Sequence, residues 1–263
     1  MDDSDIKGFG ATFRRSDLTV ALGLLTRLPL PYPAYDASST RPAAHAAWAY
    51  PLVGVVIAGI AALIGGIGQW FGLPPMAQAV LVLLALIVTT GAMHEDGLAD
   101  CADGFWGGWT RERRLEIMKD SQIGSYGVIA LVLSLLLRWA AISLVIEQGV
   151  LWPALIGAAV LSRGAMVAVM YQLPLARKGG LSGQTGRPSG TATLAAGALG
   201  LVAALCLPGG LFLWVLMTTA AILLGLGRLA KSKISGQTGD VLGATQQMTE
   251  VGVWLCLIAA HSP

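Results

Sequence analysis

The chain has 263 residues, of which 55% are hydrophobic and only 12% are charged, and its formal net charge is +2. A soluble domain typically carries about 25% charged residues, so this composition excludes an ordinary soluble protein and predicts an integral membrane protein. The basic residues are spread over several short segments, which excludes a nucleic-acid-binding protein.

The N-terminal segment is polar and acidic, unlike a cleavable signal peptide, which has a basic start and a short apolar core. We expect residues 1–16 to form a flexible cytoplasmic N-terminus. The stretch LTVALGLLTRLPLPYP that follows is short and contains Arg27 and three prolines. It favours an interfacial or re-entrant helix over a full membrane span.

Seven apolar segments have about the 17 to 25 residues that a transmembrane helix needs. They lie at 46–71, 76–94, 125–147, 152–172, 191–207, 211–227 and 242–260. The predicted fold is therefore all-α: a polytopic transmembrane helical bundle of about seven spanning helices plus the N-terminal helix, forming one integral membrane domain over 1–263.

The Lys and Arg residues alternate with the predicted spans. Five precede the first span, four lie within 95–124, three lie within 173–190 and three follow residue 227, whereas the connections near 72–75, 148–151 and 208–210 have none. Cytoplasmic loops of membrane proteins carry the excess of basic residues. The pattern predicts a multi-pass protein of the cytoplasmic (inner) membrane, with its N-terminus and active-site loops in the cytoplasm.

Acidic residues are concentrated at the cytoplasmic end of the second span, where seven of the fifteen fall between residues 95 and 120. In MHEDGLADCADGFWGG, Asp96, Asp100 and Asp103 are spaced i, i+4 and i+7, which places three carboxylates on one face of a helix. Carboxylates that repel one another in this way suit Mg²⁺, which keeps open positions for substrate phosphates. The structural alternative is a salt-bridged helix cap beside RERRLEIMKD, but ionisable residues in a membrane protein favour a functional site.

Two further expectations concern this acidic segment. We expect 95–124 to form a cytoplasmic catalytic loop. Its glycines at 97, 104, 107 and 108 would let a bulky substrate approach the backbone. The sequence HEDGLAD does not match HExxH, so a zinc peptidase is excluded, and His94 alone is typical of a packing or hydrogen-bonding residue.

The pentapeptide SGQTG occurs twice, at 182–186 and 235–239, each time in a basic loop. Glycine-rich loops at helix starts offer backbone N–H groups to phosphate, and the same residues also form ordinary loops, so both interpretations stay open. Asp240, which follows Gly239, suits either a helix cap or a ligand. Arg138 and Arg163 lie within predicted spans, where they should face the bundle interior and pair with phosphate or with an acid such as Glu250.

These features together predict phosphoryl transfer at a membrane surface. A carboxylate-held Mg²⁺ ion would neutralise charge on a diphosphate, and an arginine would stabilise the departing group. An acid would orient or deprotonate the attacking hydroxyl. Several enzyme families share this chemistry.

A resemblance narrows the choice. The segments LLTRLPLPYP, AYPLVGVVIAG, HEDGLADCADGFWGG, LEIMKDSQIGSYG and SGQTGDVLGATQQMTEV extend from about residue 24 to 251. In this order they resemble the cobalamin synthase family, the adenosylcobinamide-GDP ribazoletransferases. The resemblance implies a Mg²⁺-dependent enzyme of the last stage of vitamin B12 assembly. In that reaction a hydroxyl of α-ribazole or of its 5′-phosphate attacks the phosphate joined to cobinamide, and GMP leaves.

The resemblance also implies roles for single residues. The match to EDGLADCADG places Glu95, Asp96, Asp100 and Asp103 at the metal and the diphosphate, with His94 beside them as an acid or base. The match to IMKDS places Lys119 and Asp120 near the same centre. The match to TGD assigns Gly239 and Asp240 to the substrate. Arg138 and Arg163 complete the expected substrate-binding set.

Two alternatives and the expected partners complete the prediction. A CDP-alcohol phosphatidyltransferase would use the same chemistry, but its pattern, DG-x2-AR, needs an Ala-Arg pair where Asp100-Cys101 stands here. A cation transporter would place acids near the membrane midplane, whereas these acids gather at one edge. The expected partners are adenosylcobinamide-GDP, α-ribazole or its 5′-phosphate, and the lipid bilayer, with monomer and homo-oligomer both left open.

Overall fold

The computed structural model describes residues 13–30, 42–207 and 210–260. In these ranges the chain is helical, and the single β-type pairing is an isolated parallel bridge between Leu175 and Gln237. The α-helices are α1 Ser16–Leu25, α2 Tyr50–Trp70, α3 Pro75–Thr90, α4 Met93–Gly107, α5 Arg111–Ile117, α6 Ser125–Glu147, α7 Leu151–Gln172, α8 Gly180–Thr185, α9 Gly190–Leu205, α10 Phe212–Ile234 and α11 Gly239–Ala259, and a 3-10 helix, Ala43–Ala49, precedes α2. The all-α prediction is confirmed, whereas most of the expected flexible N-terminus, residues 1–12, lies outside the described residues.

Four of the predicted spans correspond to helices that are long and apolar enough to cross a membrane. They are Ala43–Trp70, α6, α7 and α10. The other three segments differ: α3 qualifies only together with α4, across a bend of 86°, α9 has 16 residues, and α11 has 21 residues but a more polar sequence. The structure thus has four or five candidate spans, and the count of about seven is not confirmed.

The predicted span at 76–94 ends early, at Thr90. Gly91 and Ala92 both have left-handed backbone conformations, with φ of 65° and 57°, and this break turns α4 across the end of the bundle. Arg27 supports the break, because its backbone N–H donates to the Thr89 carbonyl at 2.8 Å. Most of the segment 95–124, the expected cytoplasmic catalytic loop, is folded as α4 and α5, and its catalytic role stays a prediction.

α11 lies at the centre of the bundle and packs against α4, α6, α7 and α10, while α2 packs against α3 and α7. Glycines allow the closest crossings. A Cβ atom at Gly54 would lie 2.5 Å from the Ala159 carbonyl oxygen, and one at Gly97 would lie 2.8 Å from the Asp240 carbonyl oxygen. Small residues at helix crossings are typical of membrane bundles, and here they fix α4 against the start of α11.

The basic segments meet at one end of the bundle. Arg114 Nη1 donates to the Lys233 carbonyl at 3.0 Å, and Arg177 Nη1 donates to the Leu115 carbonyl at 3.4 Å. Exposed aromatic side chains mark the helix ends away from this basic end: Trp70, Phe71, Trp152 and Trp214. Such a rim is typical of a membrane–water interface, and the arrangement places the three basic segments on the same side.

Candidate active site

A cavity of about 160 Å³ opens at the basic end of the bundle. Its polar wall comes from α4, from the start of α11 and from the loop after α7: His94, Asp96, Arg177, Thr238 and Asp240. The two SGQTG segments add Ser182, Thr185 and Gln237, and the opposite wall is made of apolar side chains of α1, α7 and α11 together with Tyr50 of α2. The cavity therefore joins the acidic motif to the second SGQTG segment, which are far apart in the sequence.

Asp96, Asp100 and Asp240 form the carboxylate cluster of the site. The close crossing of α4 and α11 at Gly97 and Gly243 brings the two helices together. Burial, followed by the negative charges of Asp96, Asp240 and Asp103, raises the pKa of Asp100 to about 7. Burial also raises the pKa of Asp240, against the opposing effect of Arg177. In both cases burial is the main cause, and the charge of Asp96 adds to it.

A cation would complete this cluster. In the part of the chain that the structure describes, no group of three or more His, Cys, Asp or Glu side chains lies close enough to hold a metal ion alone. Mg²⁺ is commonly bound by one or two carboxylates, with phosphate oxygens and water as its other ligands. The donor set therefore fits an ion that binds together with a phosphate-bearing substrate.

Arg177 is the cation nearest to the cluster. Its Nη2 lies 3.3 Å from Asp240 Oδ2, which also accepts a hydrogen bond from the Thr238 hydroxyl at 3.0 Å. The Thr238 hydroxyl in turn accepts from the Val241 N–H at 3.4 Å and caps α11. Asp240 is thus held at the helix start by a neighbouring cap and a neighbouring arginine.

The two SGQTG segments are brought together. The Ser182 hydroxyl donates to Gln237 Oε1 at 2.7 Å, and the Gln237 N–H donates to the Pro174 carbonyl at 2.8 Å. Residues of both segments line the cavity, and a Cβ atom at Gly239 would meet no other atom within 4 Å. The backbone at Gly239 is therefore open to the cavity, as it must be if the repeat offers backbone N–H groups to a phosphate.

Asp103 has a different environment from the other acids of α4. Its carboxylate oxygens accept the backbone N–H groups of Gly124 and Gly127 at 2.7 and 2.9 Å. The side chain therefore binds the start of α6, where the helix has unpaired N–H donors. The structure separates Asp103 from the carboxylates that line the cavity and gives it a partner within the protein.

Glu95 is turned into the bundle. Arg138 Nη1 donates to Glu95 Oε1 at 2.9 Å, and Gln247 Nε2 donates to the same atom at 3.1 Å. Arg138 Nη2 also lies 3.0 Å from Glu250 Oε1. Of the two partners expected for Arg138, the structure shows the acid. Glu95 and Arg138 thus link α4, α6 and α11 beneath the cavity.

Arg163 and His94 adjoin this buried network. Arg163 Nη1 donates to the Ala159 carbonyl at 3.0 Å, within its own helix. Burial, and then the charges of Arg163 and Arg138, lower the pKa of His94 well below its usual range. Its buried Nε2 has no hydrogen-bond partner among the described residues.

Lys119 and Asp120 lie at a different place from the one expected. Asp120 lines a second, shallower cavity with Asp103, Gly124 and Tyr126. Its Oδ1 accepts the Gln122 N–H at 3.1 Å. Both residues are exposed, and neither lines the first cavity.

At most of the glycines of the acidic motif, the space beside the backbone is filled by other parts of the protein. A Cβ atom at Gly97 would meet α11, one at Gly104 would meet Met118, and one at Gly108 would lie 2.8 Å from the Arg114 backbone nitrogen. The expectation that these positions admit a bulky substrate is therefore wrong at all three. They are small because helices and turns pack closely there.

Arg177 and Tyr50 line the cavity but are not among the residues that the sequence predicts for the site. In the sequence, Arg177 is only one of three basic residues within 173–190, five positions before Ser182 of the first SGQTG segment. Tyr50 belongs to the AYPLVG segment and lines the cavity from the first turn of α2. Both residues come close to the acids through contacts between segments that are far apart in the chain. The sequence pattern does not predict such contacts.

Comparison with known proteins identifies relatives along nearly the whole chain. The family model for cobalamin-5-phosphate synthase matches residues 17–258. A protein of Azorhizobium caulinodans is 43% identical over 258 residues, covering 94% of this chain and 97% of its own length. A protein of Bradyrhizobium diazoefficiens is 42% identical over 251 residues, covering 93% and 94% respectively.

A third relative, from Mesorhizobium japonicum, is 40% identical over 246 residues and 94% of each chain. All three relatives are named adenosylcobinamide-GDP ribazoletransferase. No solved structure matches the chain.

Proposed function

The chain belongs to the cobalamin-5-phosphate synthase family, and from this premise we propose that it catalyses Mg²⁺-dependent transfer of phosphocobinamide from adenosylcobinamide-GDP. The acceptor is α-ribazole or its 5′-phosphate, and GMP is released. It is an enzyme of the last stage of cobalamin synthesis.

The observation that carries this proposal is the composition of the cavity wall. Asp96 and Asp240 from two helices, Arg177, and the backbone around Gly239 face one space. Carboxylates with a cation suit a diphosphate, and an arginine suits a departing phosphate. A transporter would have no need of a phosphate-binding wall at one end of the bundle.

Asp96 and Asp240, which line the cavity, are the residues that would hold Mg²⁺, and Asp100 adds negative charge beside them. When bound with substrate, the ion would neutralise charge on the diphosphate. Glu95 and Asp103 lie outside this proposed set, because Arg138 and the start of α6 already occupy their carboxylates.

The protein side chains have the following roles in the proposed reaction. The His94 ring accepts a hydrogen bond from the ribazole hydroxyl through its unpartnered Nε2 and orients the hydroxyl oxygen toward the phosphorus joined to cobinamide. A new P–O bond forms as the bond from that phosphorus to the bridging oxygen breaks, and the hydroxyl proton passes to His94. Arg177 stabilises the negative charge that develops on GMP.

The chain is proposed to lie in the cytoplasmic membrane with its basic end toward the cytoplasm. The basic segments meet at the end where the cavity opens. The substrates would then enter from the compartment in which nucleotides are made.

The test is GMP release from adenosylcobinamide-GDP by the purified protein in lipid. We expect release that requires both α-ribazole and Mg²⁺ and that stops when the metal is chelated. Asp96→Asn should lower kcat by about a hundredfold or more, whereas Glu116→Gln, which changes an exposed acid of α5, should not. Well-folded protein that releases no GMP would contradict the proposal.

A further inference from the structure

We propose that the apolar half of the cavity is the subsite for the aromatic base of α-ribazole, with the Tyr50 hydroxyl as its hydrogen-bond donor. This inference rests on the proposed function and names the part of the substrate that the cavity selects. The apolar half is defined by five side chains: Leu24, Leu25, Met166, Met170 and Leu242.

The size of the cavity limits what it can contain. At about 160 Å³, it is comparable with an apolar protein cavity of about 150 Å³ that binds benzene. This volume belongs to the whole cavity, so its apolar half admits one small aromatic ring system at most. A corrin macrocycle is far larger, so the cobinamide part of the donor must stay outside, at the polar mouth.

The apolar half is lined by buried side chains and is therefore an internal pocket, not a depression of the surface. Leu24 and Leu25 are 6% and 4% exposed, and Met166 and Met170 are 4% and 1% exposed. The two leucines lie at the end of α1. The two methionines are four residues apart and therefore share one face of α7. Methionine sulfur makes favourable contacts with aromatic rings and adapts to their shape, so these walls suit a flat, apolar base.

Tyr50 supplies one polar group to this pocket. The residue is 4% exposed and lines the cavity from the first turn of α2, and none of the hydrogen bonds among the described residues involves its hydroxyl. A buried tyrosine hydroxyl normally has a partner. A benzimidazole joined to ribose through one ring nitrogen has a second ring nitrogen that accepts a single hydrogen bond, which matches this single donor.

The same chemistry argues against guanine as the occupant. Guanine presents several donors and acceptors on its edges, and burying them against leucine and methionine would leave most of them unpaired at a considerable cost. The leaving nucleotide is therefore expected near Arg177 and the SGQTG segments. The base of the acceptor takes the apolar half.

The first experiment fills the pocket with a larger side chain. Met170→Trp should raise KM for α-ribazole by about tenfold or more, while KM for adenosylcobinamide-GDP stays within about twofold of the original value. Met217→Trp is the matched control, because Met217 is 46% exposed on α10, away from the cavity, and it should change neither constant. Melting temperatures in detergent would show that both variants fold.

The second experiment tests the hydrogen bond of Tyr50. α-Ribazole is compared with its indole analogue, in which carbon replaces the free ring nitrogen. The original protein should prefer α-ribazole by about tenfold in kcat/KM. Tyr50→Phe should lose this preference by weakening only the reaction of α-ribazole, an effect that a general loss of stability would not produce.

Two results would overturn the inference. If Met170→Trp raises KM for adenosylcobinamide-GDP instead, the cavity holds part of the donor. If an active Met170→Trp variant leaves every KM unchanged, the cavity is not a substrate site. GMP release by the original protein tests the proposed function separately, so the two failures are distinguishable.

Discussion

The four carboxylates of α4 lie within three turns of one helix, yet each has a different electrostatic environment. Glu95 faces Arg138, Asp103 binds the start of α6, and Asp96 and Asp100 share negative charge with Asp240. Two acids therefore hold α4 to neighbouring elements, Asp96 lines the cavity, and Asp100 lies close enough to Asp96 and Asp240 to feel their charge. Residue type alone does not separate these roles, because the distinction comes from which neighbour each side chain meets.

Asp100 makes the stability of the metal-free protein depend on pH. Its pKa is raised from 3.8 to about 7, so the folded protein binds more protons than the unfolded chain between these values. Its contribution to the free energy of unfolding is therefore greatest at low pH and is lost as pH rises through about 7. In metal-free protein, we expect Asp100→Asn to raise the melting temperature at pH 7.5 and to have little effect at pH 4.5.

Thermal melting with a chelator, at both pH values, would check this expectation. Glu116→Gln is the control, since that exposed acid pairs only with Arg113 on the surface. A melting temperature of Asp100→Asn equal to or below that of the original protein at pH 7.5 would contradict a repulsive cluster.

Arg138 forms buried ion pairs whose loss should lower the free energy of unfolding. It contacts both Glu95 and Glu250 and is 1% exposed. Arg138→Met would leave the two acids without a cation, and breaking a buried pair typically costs about 3–5 kcal/mol of unfolding free energy. Arg113→Met, which removes one partner of an exposed pair, should cost about 1 kcal/mol or less.

Denaturant unfolding in mixed micelles would compare these two variants. A further variant, Arg138→Lys, retains the charge but not the planar group that reaches several acceptors, and should be intermediate. Equal stabilities of Arg138→Met and Arg113→Met would show that the network does not hold α4.

At the scale of elements, the crossing of α4 with α11 determines the geometry of the carboxylate cluster. Gly97→Ala would place a Cβ atom 2.8 Å from the Asp240 carbonyl oxygen, so the helices would have to separate. We expect a loss of about 1–3 kcal/mol in unfolding free energy and a larger proportional loss of GMP release, because Asp96 and Asp240 move apart.

Gly107→Ala provides a control on the same helix. A Cβ atom there would meet only Ile117 Cδ1, at 3.4 Å, and alanine favours helix over glycine by up to about 1 kcal/mol. This variant should be as stable as the original protein or more so. If both glycine variants behave alike, the close crossing is not needed for the site.

The elements that the sequence predicted well are those with a continuous apolar signal. α6, predicted at 125–147, is observed at Ser125–Glu147, because a long run of mostly apolar residues, interrupted by only a few polar ones such as Arg138, lies between polar ends. The break before α4 was missed, because two small residues with left-handed backbones, Gly91 and Ala92, leave no gap in hydrophobicity. Short breaks of this kind are determined by tertiary contacts, here with Arg27.

The residues of the candidate site show the same limit. The sequence identified Asp96, Asp100 and Asp240 as candidates from composition and spacing. It did not show that Arg177 pairs with Asp240, which lies 63 positions away. Nor did it show that Asp103 binds the start of α6. The residues next to Asp103 in the sequence do not reveal that its carboxylate accepts backbone N–H groups more than 20 positions away.

At the scale of the whole molecule, the two ends of the bundle differ in charge. The basic segments around α5, the SGQTG segments and the cavity share one end. The opposite end has exposed tryptophans and the turns near Gly72 and Gly149. A membrane protein with this asymmetry should have a single orientation, with the basic end in the cytoplasm.

Cysteine labelling in intact cells can measure this orientation. The three native cysteines, which are free thiols, would first be replaced by serine, and single cysteines introduced as Glu112→Cys at the basic end and Gly149→Cys at the other. We expect a membrane-impermeant maleimide to label position 149 from outside the cytoplasmic membrane and to reach position 112 only after the membrane is opened. The reverse pattern would place the cavity outside the cytoplasm, away from any nucleotide substrate, and would contradict both the orientation and the proposed reaction.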